Sequence, residues 1–268
     1  MSSPPIQRTT PPTTAGPLLR ELRRHARLSQ LELSLITGVS QRHLSCIETG
    51  RAKPSPATLH HLLMALEAPL EQCNSIFRAA GYAPRYEATP MSSPAMAAVR
   101  EAITHVLHAN NPAPAILLGS HWEVLAANAS TQVLFDLVGL PSDSAHGLNL
   151  LVTLLRPGGL GDHLINANEI RHVAWQRATR EALDNPTLAR ILEGLPAPDA
   201  PETAPGELSP LVLTRIKCPQ GELSFMSTFT TFGMPLDITV TSLRIEHLIP
   251  ADAPTWQIMT AAYEQSRL

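Results

Sequence analysis

Residues 28–66, LSQLELSLITGVSQRHLSCIETGRAKPSPATLHHLLMAL, set short apolar-periodic runs between capping residues and glycines at regular offsets. Ser29 offers an N-cap hydroxyl, and Glu32, three residues on, completes a capping box. A helix is therefore predicted over Gln30–Thr37, with Leu33 and Thr37 inward and Ser34 small enough to let another helix approach. Gly38 has the conformational freedom to end it. Val39 reads as a buried hinge, and Ser40 caps a third helix, Gln41–Glu48, which buries Leu44 and Ile47 and stops at Gly50. Pro56 starts a fourth helix on the stripe Leu59, Leu62, Leu63, Leu66. Upstream, Pro17 opens a first helix whose Leu19, Leu22 and Ala26 share a face; downstream, a fifth runs from about Leu70 to Ala80 and ends at Gly81.

Two short helices joined by a tight glycine turn form a helix-turn-helix unit. Through Ser29-Gln30, Gly38-Val39-Ser40, Ile47-Glu48-Thr49-Gly50 and Pro54, the stretch resembles the Cro/repressor (xenobiotic-response-element) family. Its one main departure is Ser34, where alanine is more usual. The resemblance implies a DNA-binding transcription regulator whose third helix enters the major groove of an operator. Gln41 and Arg42 are then the expected readers of base edges, Gln for adenine and Arg for guanine, with Ser45 a third. Cys46 is short and a poor hydrogen-bonder. Gln30, Ser40, His43, Arg51 and Lys53 are expected on phosphates, which fix register. Arg23 and Glu48 occupy the family's positions for an ion pair between helices one and three. The competing reading of Arg42 and His43 is a solvated helix face.

Bulk properties agree with a two-part chain. At 268 residues, 44% hydrophobic and 16% charged, two globular domains are the natural expectation. The 25 prolines exceed the usual share of about 5% and cluster at the N-terminus, at 84–94, 112–114 and 196–210. Residues 1–16 read as a flexible tail without a signal-peptide core, 17–83 as the helix-turn-helix domain, 84–95 as a linker and 96–268 as a second domain. The net charge of -3 hides an asymmetry: residues 1–86 carry ten Lys/Arg against five acids, and the rest carries ten against eighteen. A basic module on an acidic body suits a phosphate-binding head. Cys46, Cys73 and Cys218 are widely spaced, so neither a metal nor a disulfide is expected and a reducing cytoplasm is. No apolar run approaches a membrane span.

In the second domain, 115–118 and 122–126 read as a hairpin around Gly119-Ser120, and Asn128 as the cap of a following helix. Helical patterns follow at 149–156, 166–184 and 187–195, then strands at 211–216, 223–231 and 236–245, and a last helix at 255–265. Strands, helices, then strands is the order of a PAS-like antiparallel sheet with helices, making the whole chain α+β. AILLGSHWEVLAANASTQVLF (115–135), NLLVTLL (149–155), AWQRATREA (174–182) and the AAGYAPRY junction (79–86) resemble the MmyB-like regulators, though the Phe-Arg-x-x-Trp segment of some members is missing. That resemblance implies a small-molecule sensor with a fatty-acid-like ligand; a homodimer is expected because one helix-turn-helix unit contacts only a few base pairs. Trp122, Phe229 and Phe232 are candidate pocket residues; the alternative is ordinary core aromatics. The rival for the whole domain is one that only dimerises or recruits a protein.

Other constellations carry less. Glu101, His105 and His108 share a helix face, but no further ligand completes a metal set. Pro157-Gly158-Gly159-Leu160-Gly161 lacks the Lys-Ser/Thr of a phosphate loop. No catalytic motif is readable, so neither an enzyme nor a cofactor is expected.

Overall fold

The computed structural model describes residues 15–140, 147–183, 185–199 and 211–268. Most of the expected tail, residues 1–14, lies outside them, as do 141–146, 184 and 200–210. The chain forms two compact units, one of residues up to Thr89 together with Pro235–Thr241, the other of Pro90–Met234 and Ser242–Leu268.

The N-terminal part of the first unit contains, among the described residues, five helices: α1 (Ala15–His25), α2 (Gln30–Thr37), α3 (Gln41–Glu48), α4 (Pro56–Ala65) and α5 (Leu70–Ala79). The capping box of α2 forms in both directions, Glu32 N–H to Ser29 Oγ and Ser29 N–H to Glu32 Oε2, and Gly38 adopts a φ of 66°. Ser40 and Ser55 cap α3 and α4. Helix α1 starts two residues earlier than its apolar pattern suggests. Ala15 and Gly16, read as tail, are buried helical residues, and a Cβ on Gly16 would lie 2.3 Å from the Ile47 carbonyl oxygen. Glycine thus lets α1 cross directly over the end of α3. Leu19, Leu33, Leu44, Leu59, Leu62 and Leu63 fill the core. Asn74, buried in α5, accepts from the Arg85 and Tyr86 N–H groups and donates to the Tyr86 carbonyl, which holds Tyr86 in this core.

The second unit is a curled five-stranded antiparallel sheet in the order β2-β1-β5-β4-β3. Its strands are β1 (Ala115–Leu118), β2 (Val124–Ala127), β3 (Thr214–Cys218), β4 (Gly221–Thr230) and β5 (Arg244–Pro250). Helix α6 (Ala97–Ala109) precedes β1 and packs Ile103 and Leu107 against Ala115, Leu117 and Ile245 on one sheet face. Between β2 and β3 come α7 (Ala129–Leu137), α8 (Leu150–Leu155), α9 (Ala167–Glu181) and α10 (Pro186–Glu193), whose apolar sides join Ile216 and Phe225 in the larger core. Alternation along β5 sends Ile245 to the α6 face and Glu246 and Leu248 to the other. The terminal α12 (Ala253–Gln265) completes this unit, while the short helix α11 (Ile238–Ser242), between β4 and β5, belongs through Thr241 to the first.

Two expectations are corrected. The β-branched run 236–245 reads as a strand, but Asp237 accepts from the Thr239 and Val240 N–H groups and starts α11, so β5 begins only at Arg244. A side-chain cap and tertiary docking here overrule β-propensity. Trp122, expected at the start of β2, sits in the β1–β2 turn with a φ of 66°.

The β1 entry hangs on Asn128, which is 2% exposed. Its Oδ1 accepts from Ala115 N–H, Thr131 N–H and Thr131 Oγ1, and its Nδ2 donates to the Leu107 and Ala113 carbonyls. Asn128→Ala leaves several of these groups buried and unpaired. It is expected to destabilise the sheet unit by roughly 2–4 kcal/mol, read as a lower urea midpoint, with the α3 region unaffected.

Candidate nucleic-acid interface and ligand cavity

Helix α3 has two faces. Leu44, Ile47 and Glu48 are buried, whereas Gln41, Arg42 and His43 are exposed at its N-terminal end. The buried face is fixed by charge as well as packing. Arg23 of α1 grips Glu48 bidentately, Nε to Oε1 at 2.6 Å and Nη2 to Oε2 at 2.9 Å, and its Nη1 donates to the Leu28 carbonyl. Burial would raise the Glu48 pKa, but the hydrogen bonds from Arg23 and Gln30 and the Arg23 charge outweigh it, so the carboxylate stays below its usual range.

The expected DNA-contact residues divide by how they are held. Gln30 Nε2 donates to Glu48 Oε2 at 2.8 Å and carries a second N–H. Ser40 Oγ is engaged by His43 N–H at 3.3 Å as the helix cap. Arg51 Nε donates to Thr49 Oγ1 at 3.0 Å, and Thr49 Oγ1 in turn donates to the Ser45 carbonyl, so the loop arginine is oriented from the end of α3. Lys53 Nζ lies 4.4 Å from the centroid of the Tyr82 ring, while the Tyr82 hydroxyl donates to the Pro54 carbonyl. Ser45 is half-buried. Sequence reading missed Thr49, Tyr82 and His61, whose Nε2 lies 3.0 Å from the Thr37 carbonyl and donates to it. Lys53 and Tyr82 are far apart in the chain, and nothing local pairs them.

In the sheet unit, the face opposite α6 encloses a cavity of ≈ 90 Å³. Ile116, Leu134, Leu150, Leu154, Leu164, Ile170, Ile216 and Leu248 are among its walls, and Glu246 is the one ionisable side chain lining it among the described residues. Burial pushes the Glu246 carboxyl up, toward its neutral form, while Ser227 Oγ donates to its Oε1. On the same strand, Arg244 Nη1 donates to Glu181 Oε2 at 3.2 Å, and its Nε and Nη2 are buried with no hydrogen-bond partner among the described residues.

None of Trp122, Phe229 and Phe232 lines this cavity. Trp122 is 4% exposed and donates from Nε1 to Glu181 Oε2 at 2.8 Å. Phe229 is exposed, and the Arg177 guanidinium lies 4.0 Å from its ring centroid and 5.6 Å from that of Trp122. The structure thus gathers Trp122 and Phe229 around Arg177, and leaves Phe232 against the α6 cluster. The wall residues escape sequence reading because leucines and isoleucines contributed singly by many elements look like ordinary core. Glu101 and His105 are exposed and 3.7 Å apart, and among the described residues no group of three His, Cys, Asp or Glu is placed to hold a metal. No described helix is long and apolar enough to cross a membrane.

Comparison with known proteins follows the same division. Residues 99–261 match the family described as MmyB-like transcription regulator ligand binding domain, and residues 15–74 match a helix-turn-helix domain family. An uncharacterized HTH-type transcriptional regulator, RghRB of Bacillus subtilis (strain 168), is 40% identical over 68 residues, 25% of this chain and 47% of that protein. The chain therefore spans about half the length of this curated relative. Among solved structures, an RNA-binding light-oxygen-voltage receptor aligns over 93% of this chain and 62% of its own, at 13% identity and a TM-score of 0.28, a likeness that carries no argument.

The Arg23–Glu48 pair makes a direct test of how α3 is held. Glu48→Ala strands a buried guanidinium and is expected to cost roughly 3–5 kcal/mol, whereas Arg23→Met with Glu48→Leu is expected near neutral. Because the Glu48 pKa is lowered in the folded chain, its contribution is complete above the unfolded value of about 4.3 and is lost as pH falls through the folded one. Helical unfolding of the first unit followed from pH 7 to 3 should show that loss in the native chain and not in the double variant.

Proposed function

The chain belongs to the MmyB-like transcription regulators, and from that premise we propose that it is a one-component sensor which reads operator DNA with α3 and answers to an apolar ligand held in the sheet unit. One observation carries the reading: α3 is locked along one face by Arg23 and Glu48 while Gln41, Arg42 and His43 stand exposed at its front. Gln41 and Arg42 bond base edges in the major groove, with Ser45 behind them. Gln30, Ser40, His43, Arg51 and Lys53 take phosphates. The Thr49 and Tyr82 contacts support the last two, because they orient two long cationic side chains before DNA arrives.

One reading head covers only a few base pairs, so a symmetric homodimer binds two half-sites about 34–36 Å apart. The site of action is the cytoplasm, where the DNA is. The ligand is fatty-acid-like: its tail lies among the leucines of the cavity and its carboxyl group approaches Glu246, the ionisable residue of the lining, on which the Arg177 and Arg244 charges act. At ≈ 90 Å³ the cavity takes only part of a long tail. The leucine walls must part for the remainder, and that difference between closed and open states gives a ligand its leverage.

Arg42→Ala should weaken binding to a selected operator by about 1–3 kcal/mol and relax base choice, and Arg51→Ala should weaken all sequences alike and flatten the salt dependence. Fluorescence anisotropy against salt measures both, and unchanged binding in both variants overturns the assignment of α3. For the ligand, Leu154→Trp fills the cavity and should lower decanoate affinity at least about tenfold, by calorimetry, with operator binding retained. If decanoate does not bind the native chain and no lipid travels with it into native mass spectrometry, the second unit serves only to dimerise or to recruit a protein.

A further inference from the structure

Strands β4 and β5 are antiparallel neighbours, with Thr230 paired to Ile245. Such neighbours are ordinarily joined by two to about five residues. Here the connection runs over 231–243, and its middle part, Pro235–Thr241, belongs to the reading-head unit rather than to the sheet. The connection is thus well beyond a hairpin turn and carries a short helix of its own, α11.

The detour is built in by specific contacts. Ile238 N–H donates to the Glu87 carbonyl at 2.8 Å, and the Ile238 side chain packs against the reading-head core. Asp237 Oδ2 accepts from the Thr89 N–H at 3.1 Å and from the Thr89 hydroxyl at 2.6 Å. Its Oδ1 caps α11 through Thr239 N–H and Val240 N–H. Burial acts to raise the Asp237 pKa, and these bonds together hold it below the usual carboxylate range. Both oxygens are thus committed, one to the reading head and one to the turn. Immediately after this segment the chain enters β5, where Arg244 bonds Glu181, and Glu246 and Leu248 line the apolar cavity.

We propose that Pro235–Thr241 is a coupling strap, through which the position of β5 at the cavity wall sets the DNA affinity of the reading head. The proposal rests on the sensor reading above and names the route by which that sensor acts. A shift of Glu246 or Leu248 as the cavity opens is passed along β5 to the root of α11, and alters the fit of Asp237 and Ile238 on Thr89 and Glu87. The reading head then has two arrangements, strap seated and strap released, and DNA favours one of them. Couplings between sites of this kind are commonly about 5–150-fold in affinity and are reciprocal, so DNA must also act on the strap.

Hydrogen exchange of the full chain, with and without a double-stranded fragment selected from a random library by the same chain, tests this. DNA is expected to slow exchange in α3 and to change the rates of the Thr89 and Ile238 amides at least about threefold. Asp237→Ala and Thr89→Val are expected to change affinity for that fragment at least about fivefold, with exchange in β1 and β2 unaltered. Asp237→Asn, which keeps the shape and one acceptor oxygen, should show a smaller change in the same direction, and it replaces Asp237→Ala if that variant fails to fold. If DNA protects α3 but leaves the two strap amides unchanged, and the variants bind within twofold of the native chain, the strap is only a structural brace and the proposal is overturned. Absence of protection in α3 overturns the reading-head assignment, and the strap with it.

Discussion

The reading head depends on one buried ion pair. Arg23 and Glu48 join α1 to the end of α3, and every neighbouring feature is fitted to their closeness. Gly16 removes the Cβ that would strike the Ile47 carbonyl, and Gln30 brings α2 to the same carboxylate. A buried charge pair adds little net stability compared with packed apolar groups, but losing one partner is costly. Its value here is geometric. It fixes the rotation of α3 about its own axis, and that rotation decides which side chains stand exposed.

The sheet unit solves a different problem, which is to hold polar groups beside an apolar cavity. Glu181 accepts from Trp122, Arg177 and Arg244, so one carboxylate organises an indole and two guanidinium groups. This explains why Trp122 tolerates a left-handed backbone that a bulky residue rarely adopts. Its ring is held from the far side by a hydrogen bond and by Arg244, whose guanidinium lies 4.9 Å from the ring centroid. Two Arg244 nitrogens nevertheless remain without a partner among the described residues, next to a Glu246 inclined to stay neutral.

What could be read in the sequence was whatever is decided locally. Ser29, Glu32, Gly38 and Ser40 act within four residues of themselves, as Asn128 does in capping α7, and the helices they bound fall where those residues put them; the bonds of Asn128 to Leu107, Ala113 and Ala115 are distant in the chain and were not legible. The hairpin of β1 and β2 and the order of the sheet elements followed from the same kind of signal. The strand expected at 236–245 did not, because Asp237 is satisfied partly by Thr89, 148 residues away in the chain. The candidate site divides likewise. The exposed front of α3 was legible from helical periodicity. The support of Lys53 by Tyr82, the clustering of Trp122 with Phe229 about Arg177, and the cavity walls were not, since each depends on side chains that meet only after folding.

The discontinuous make-up of the first unit also has a consequence in time. At a synthesis rate of about 5–20 residues per second, Ile238 follows Glu87 out of the ribosome by roughly 7–30 seconds. During that interval the five N-terminal helices exist without the isoleucine and the aspartate that later join them. The DNA-binding unit is therefore completed only when most of the ligand-binding unit has been made. A truncated product of translation would carry an unfinished reading head, and a graft that transfers only residues up to Thr89 to another protein would transfer the same unfinished part.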